Sequence, residues 1–136
     1  MTAGADLAAA GEGLVGVPFR FHGRDPTHGL DCVGVIAEAL RRCGRVPVMP
    51  HGYGLRLLDI APLFRFATAS GLRAATDTIA PGDVLLAHLH GLQPHLLLAA
   101  SGGALIHAHA GIGKVIRQAG PMPWPVAGHW RLDTKG

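Results

Sequence analysis

One cysteine and a cluster of histidines are the residues whose types could do chemistry, and that chemistry would be nucleophilic attack by a thiol. Cys32 lies in the run Gly29-Leu30-Asp31-Cys32-Val33-Gly34. A thiol attacks as its thiolate, and a helix N-terminus, with roughly half a positive charge, favours that form, more so with an imidazole nearby. Of the nine histidines, His88, His90, His95, His107 and His109 fall within 22 residues. A thiol nucleophile needs a base within hydrogen-bond reach, and the base needs a third group to fix its tautomer. Taken alone, Cys32 reads as a small buried hydrophobe, as most free cysteines do. His88 and His90 could join His107 and His109 in a zinc site, but no Asp, Glu or Cys in that stretch completes a familiar ligand spacing, so no metal is expected.

The elements must bring these groups together. Cys32, Val35, Ile36, Ala39, Leu40 and Cys43 recur at helical spacing, with Glu38, Arg41 and Arg42 mostly off that face. Asp31 is a good N-cap and Gly44 a plausible stop, so the helix starts near Cys32. Cys43 sits at the opposite end, roughly 16 Å away on one helix, too far for a disulfide.

Residues 4–15 read as an earlier helix, 16–23 as an extended turn-rich stretch, and 44–54 as loop. Residues 55–70 have helical composition interrupted by Pro62. After Pro81-Gly82-Asp83 the pattern changes to short apolar runs at 84–88, 95–100, 104–109, 114–118 and 126–132, which read as antiparallel strands. The class is therefore α+β, with N-terminal helices packed on a C-terminal antiparallel sheet and the candidate nucleophile at the start of a central helix. The turn between the second and third strands matters most. A three-residue loop, Ser101-Gly102-Gly103, sets His95 opposite His109 and on the same face as His107. A two-residue Gly102-Gly103 turn would set His95 opposite Ala110 and turn His107 away.

Composition narrows the class further. At 136 residues, one domain spanning 1–136 is the economical reading. Ten of the twelve cationic residues are Arg, but they are scattered, and seven aromatics accompany them, so a nucleic-acid partner is not expected. The first fifteen residues lack Lys and Arg and do not read as a signal peptide, and no run approaches the roughly 18 apolar residues of a membrane span. The expectation is cytoplasmic synthesis with no membrane partner.

Three blocks, Gly16-Val17-Pro18-Phe19-Arg20 with Gly29-Leu30-Asp31-Cys32-Val33-Gly34, then Pro81-Gly82-Asp83-Val84, then His95 with Ile106-His107-Ala108, resemble the NlpC-type peptidases of bacterial cell walls. These are small papain-like cysteine peptidases. The match covers nearly the whole chain, and the twelve-residue step from His95 to His107 is as the family has it. The resemblance implies a papain-like fold with Cys32 as nucleophile, His95 as general base and His107 as the residue that orients it. The Cys32 backbone N–H, with Asp31 in a positioning role, would serve the oxyanion hole. It implies hydrolysis of peptidoglycan stem peptides, at a γ-D-glutamyl to diamino-acid bond, through an acyl-thioester, with no metal or cofactor.

Many family members carry Ser after the cysteine and Tyr in the upstream element, where this chain has Val33 and Phe19. That form looks like the phage-tail and gene-transfer-agent branch, which implies tail-tip proteins as partners and action in the periplasm or cell wall. Phe19, Val33 and Tyr53 are the expected substrate contacts, Tyr53 because Gly52 and Gly54 make its loop adaptable. Two other functions fit the same residues: a non-catalytic tail-tip or wall-binding module, and an acyltransferase using the same thiol and base.

Overall fold

The computed structural model describes residues 3–48, 61–89 and 93–132. Two helices lead: α1 (Ala3–Glu12) and, after a short ribbon of β1 (Arg24–Asp25) and β2 (Gly29–Leu30), α2 (Cys32–Arg42). Then come α3 (Ala61–Ala69), β3 (Leu72–Ala74), β4 (Val84–Leu89), β5 (Gln93–Ala99), β6 (Leu105–His109), β7 (Lys114–Gln118) and β8 (Val126–Leu132). The last six strands form one antiparallel sheet in the order β3-β8-β4-β5-β6-β7. The α+β architecture and the helices-then-sheet order agree with the sequence reading.

α2 begins where its cap dictates. Asp31 is extended, and its carboxylate accepts the Gly34 N–H at 2.8 Å, satisfying one of the orphan donors of the first turn. Glycine at position 34 has a steric cause, because a Cβ there would collide with the Gly23 carbonyl. Val33, Val35, Ile36, Ala37, Ala39 and Leu40 are all fully covered, a wider buried surface than one helical face. The reason is that α1 packs on one side of α2 while β5 and β6 pack on another. Glu38, Arg41 and Arg42 hold the remaining side with ion pairs of 3.2–3.3 Å.

Side-chain alternation divides the sheet. Val84, Leu86, Leu96, Leu98, Ile106, Ala108 and Val115 face the helices and join the main core. Leu85, Ala87, Leu97 and Leu105 face the other way, under Met122 and Trp124 from the proline-rich segment before β8. Each fully buried Leu or Ile contributes roughly 1.5–3 kcal/mol.

The β5–β6 connection is the three-residue loop. Ser101–Gly103 form a single 3-10 turn, with Gly102 and Gly103 at φ 69° and 78°, which residues with a Cβ rarely adopt. The Ala100 N–H bonds the Ala104 carbonyl at 2.8 Å, and the ladder pairs Ala99 with Leu105 and Leu98 with Ile106. This is the register of the three-residue loop, which puts His95 on the same sheet face as His107.

Candidate active site

The candidate base is built from the sheet. His95, His107 and His109 share the face of Leu97 and Leu105, by alternation along β5 and β6. His95 Nε2 lies 2.9 Å from His107 Nδ1, and His107 Nε2 lies 2.9 Å from Gln118 Oε1 on β7. With the Gln118 carbonyl oxygen toward it, His107 is set to donate from Nε2 and accept at Nδ1, the roles in which His95 donates from Nε2 and keeps the lone pair on Nδ1. Between His107 and His109, it is His107 that bonds His95; the His109 Nδ1 accepts the Ile112 N–H at 3.0 Å in the following turn. His107 is 1% exposed and has Trp124 edge-on to its ring.

The candidate nucleophile is built from the helix. Cys32 is the first residue of α2 and is partly exposed. Its sulfur faces the backbone N–H of Leu96, the residue after His95. That N–H points to the β6 side of β5, like the Ala100 N–H two turns of the pleat away, and lies beyond the last ladder pair, Leu98 with Ile106. The thiol thus sits at the notch where β5 and β6 cease to pair. No direct hydrogen bond joins Cys32 to His95 among the described residues. Hydrogen bonds of this kind are commonly long before substrate arrives.

The charge states differ from what a helix N-terminus alone would give. Burial, followed by the neighbouring Asp31 carboxylate, pushes the Cys32 thiol up to about 12, while the Leu96 N–H, Arg24 and the Val33 N–H pull the other way and do not offset it. Burial, with smaller contributions from His107 and His109, pushes His95 down to about 3. Burial also lowers His107, against the opposing effect of Gln118. Both shifts favour a neutral thiol and a neutral imidazole at rest. They run against the expectation of a thiolate-favouring setting, because burial and the Asp31 carboxylate oppose the N–H groups of Leu96 and Val33.

Asp31 holds the helix start from both sides. Besides Gly34 it accepts the His22 N–H at 3.1 Å and the Arg24 guanidinium at 2.7 Å. These bonds place Asp31 to fix the backbone at Cys32, and a carboxylate there is unsuited to stabilising an oxyanion. Val33 requires a second correction. Its side chain is 0% exposed in the main core, so it offers no surface to a substrate. Phe19 is half-buried against that core, and its N–H bonds the Gly113 carbonyl beside the β6–β7 turn. Tyr53 and His90 lie outside the described residues. Among the described residues, no group of three or more His, Cys, Asp or Glu is arranged to hold a metal ion.

Solved structures share this arrangement of helices and sheet. NlpC1 from Trichomonas vaginalis superposes with a TM-score of 0.74 at 21% identity, over 97% of this chain and 45% of that one. An NlpC/P60 family protein from Bacillus cereus gives 0.67 at 19% identity, over 94% of this chain and 39% of that one. The fold is that of NlpC/P60 domains.

The NlpC/P60 domain of the peptidoglycan hydrolase SagA matches with a TM-score of 0.58 at 26% identity, over 85% of this chain and 88% of that one. This chain spans less than half the length of the first two neighbours but most of the SagA domain. No family model and no curated protein matches the sequence. Two contributors to the candidate site escaped the sequence reading. Arg24 carries no motif signal, and Gln118 ends a strand whose register had to be known before its side chain could be directed at His107.

Proposed function

We propose that this chain is a cysteine endopeptidase that hydrolyses amide bonds in peptidoglycan stem peptides. What carries the reading is the hydrogen-bonded line from Gln118 through His107 to His95, next to a cysteine at a helix start, within an NlpC/P60 fold. In the reaction, Cys32 Sγ attacks the scissile carbonyl as its proton passes to His95 Nδ1, and the Cys32 backbone N–H donates to the oxyanion. The tetrahedral species collapses as His95 protonates the departing amine, leaving an acyl-thioester. His95 then takes a proton from water, whose oxygen attacks the thioester, and returns a proton to Sγ as the acid leaves. The bond cut is the γ-D-glutamyl to diamino-acid amide. The Val33 and Phe19 forms of the two motif blocks support a location in a phage-like tail that crosses the wall.

Cleavage of a synthetic γ-D-glutamyl stem peptide, wild type beside Cys32→Ala, tests the reading. Hydrolysis by the wild type and none by the variant is expected; equal hydrolysis by both would sink it. Mass spectrometry of purified tail particles tests the location, which fails if the particles lack this chain. A second reading, a non-catalytic wall-binding module, is favoured by one observation, the neutral Cys32 thiol with no hydrogen bond to His95. Stem-peptide binding without cleavage would select it.

A further inference from the structure

We propose that Gln118 is a positioning residue that selects the tautomer in which His95 can act as a base. The proposal rests on the reading of Cys32 and His95 as nucleophile and base. The argument is one of proton count. A neutral imidazole carries a single N–H, so two neutral rings joined Nε2 to Nδ1 have two arrangements. In the first, His107 holds its proton on Nε2 and His95 donates to it, leaving His95 Nδ1 unprotonated. In the second, His107 holds its proton on Nδ1 and donates to His95 Nε2, so that His95 carries its own proton on Nδ1 and has no lone pair for the thiol. The two differ by a relocated proton on each ring and not by the position of any heavy atom.

The hydrogen bond between the rings cannot choose, since it is satisfied either way. The choice is made at the far nitrogen of His107, where Gln118 Oε1 stands at 2.9 Å. With its carbonyl oxygen toward His107 the amide calls for N–H on Nε2 and so favours the first arrangement. The amide turned over would favour the second, a choice that a carboxylate at 118 does not have. His109 does not compete, because its Nδ1 is engaged with the Ile112 N–H. Trp124 meets the His107 ring edge-on, its centroid 5.9 Å away. Strand geometry supplies the reach: Ile116 pairs with His107 and Gln118 with Leu105, so Gln118 is the diagonal neighbour of His107 on the same sheet face. Gln118 is half-buried and outside both core clusters, so its replacement leaves the packed interior intact.

Two variants and two readouts test this. Gln118→Met keeps length and removes the acceptor, while Gln118→Glu keeps an acceptor and cannot donate. Nitrogen-15 NMR of the histidine rings should report His95 and His107 as Nε2–H tautomers in the wild type at pH 8. In Gln118→Met the signals should move toward a mixture, with kcat lower by roughly 10- to 100-fold and KM unchanged. Gln118→Glu should keep the wild-type tautomers and a kcat within about threefold at pH 8. The titratable groups facing His107 are His95 and His109, with Lys114 paired opposite His109, so the spectra must be assigned for both neighbours. Wild-type tautomers and kcat in Gln118→Met would overturn the proposal, and so would equal losses in both variants with unchanged spectra. Should the wild type show no Cys32-dependent hydrolysis, the functional reading fails by itself, and the ring tautomers alone then decide for or against Gln118.

Discussion

His95 and His107 meet edge to face, their rings at 83° and their facing nitrogens 2.9 Å apart. A ring nitrogen's lone pair lies in the ring plane, so the bond fixes the rotation of the His95 ring. Removing the partner frees it. His107→Ala is expected to lower kcat for stem-peptide cleavage by roughly 100-fold with little change in KM. Thermal melts should show the variant still folded at the assay temperature. Full activity in a folded His107→Ala would mean that His95 is oriented by something else.

The neutral resting state of Cys32 makes a kinetic prediction. With the thiol near about 12, the thiolate fraction and hence the alkylation rate should rise about tenfold per pH unit from pH 7 to 10 without levelling. Iodoacetamide labelling in a Cys43→Ser background reads this directly, and a plateau below pH 8 would contradict it. Asp31 adds to the upward push, so Asp31→Asn should label faster than the parent at pH 8.

Asp31 also makes a prediction about stability. It is 4% exposed and receives the Gly34 and His22 N–H groups and the Arg24 guanidinium. Asp31→Ala leaves these donors without their acceptor and removes the helix cap, a loss of about 2–4 kcal/mol. Urea denaturation measures it. An Arg24→Met variant and the double variant complete a cycle that separates the ion pair from the cap. A loss below about 1 kcal/mol would reduce Asp31 to an ordinary surface cap.

Particular residues show why some of this was legible in the sequence. The α2 start was written in Asp31, whose cap bond reaches the Gly34 N–H three residues on. The five long strands followed from apolar runs between glycine turns. β1, β2 and β3 have two or three residues each, too short for any periodicity to register. Pro62 is expected to interrupt helical composition over 55–70; residues 55–60 lie outside the described residues, and α3 is described over Ala61–Ala69, with Pro62 inside it. The histidine register stayed open until Gly102 and Gly103 were seen to build a three-residue loop. The thiol's state was not legible, because desolvation depends on what other elements bring against Cys32.

Asp83, from the Pro81-Gly82-Asp83 turn, supports a prediction about acid stability. Its side chain is fully buried, accepting Arg131 Nε and Nη2 at 2.9 Å each, His129 Nε2 at 2.6 Å and the Ala80 N–H at 2.9 Å. These bonds tie the start of β4 to β8, two strands that pair in the sheet. Burial pushes the carboxyl up, but Arg131, the Ala80 N–H and His129 together outweigh it and hold the group below the usual carboxylate range. A value lowered by folding means that the unfolded chain takes up the proton first as pH falls. The stabilisation is then complete above roughly pH 4, the unfolded carboxyl's range, and is lost as pH falls toward the folded value. Asp83→Asn should therefore cost about 1.5–3 kcal/mol at pH 7, because Arg131 loses its buried carboxylate but keeps Asp77 and the Thr78 carbonyl. The gap in melting temperature between wild type and variant should narrow below about pH 4. A gap that stays constant from neutral pH down to about pH 2.5 would show that Asp83 is held by its shape and not by its charge.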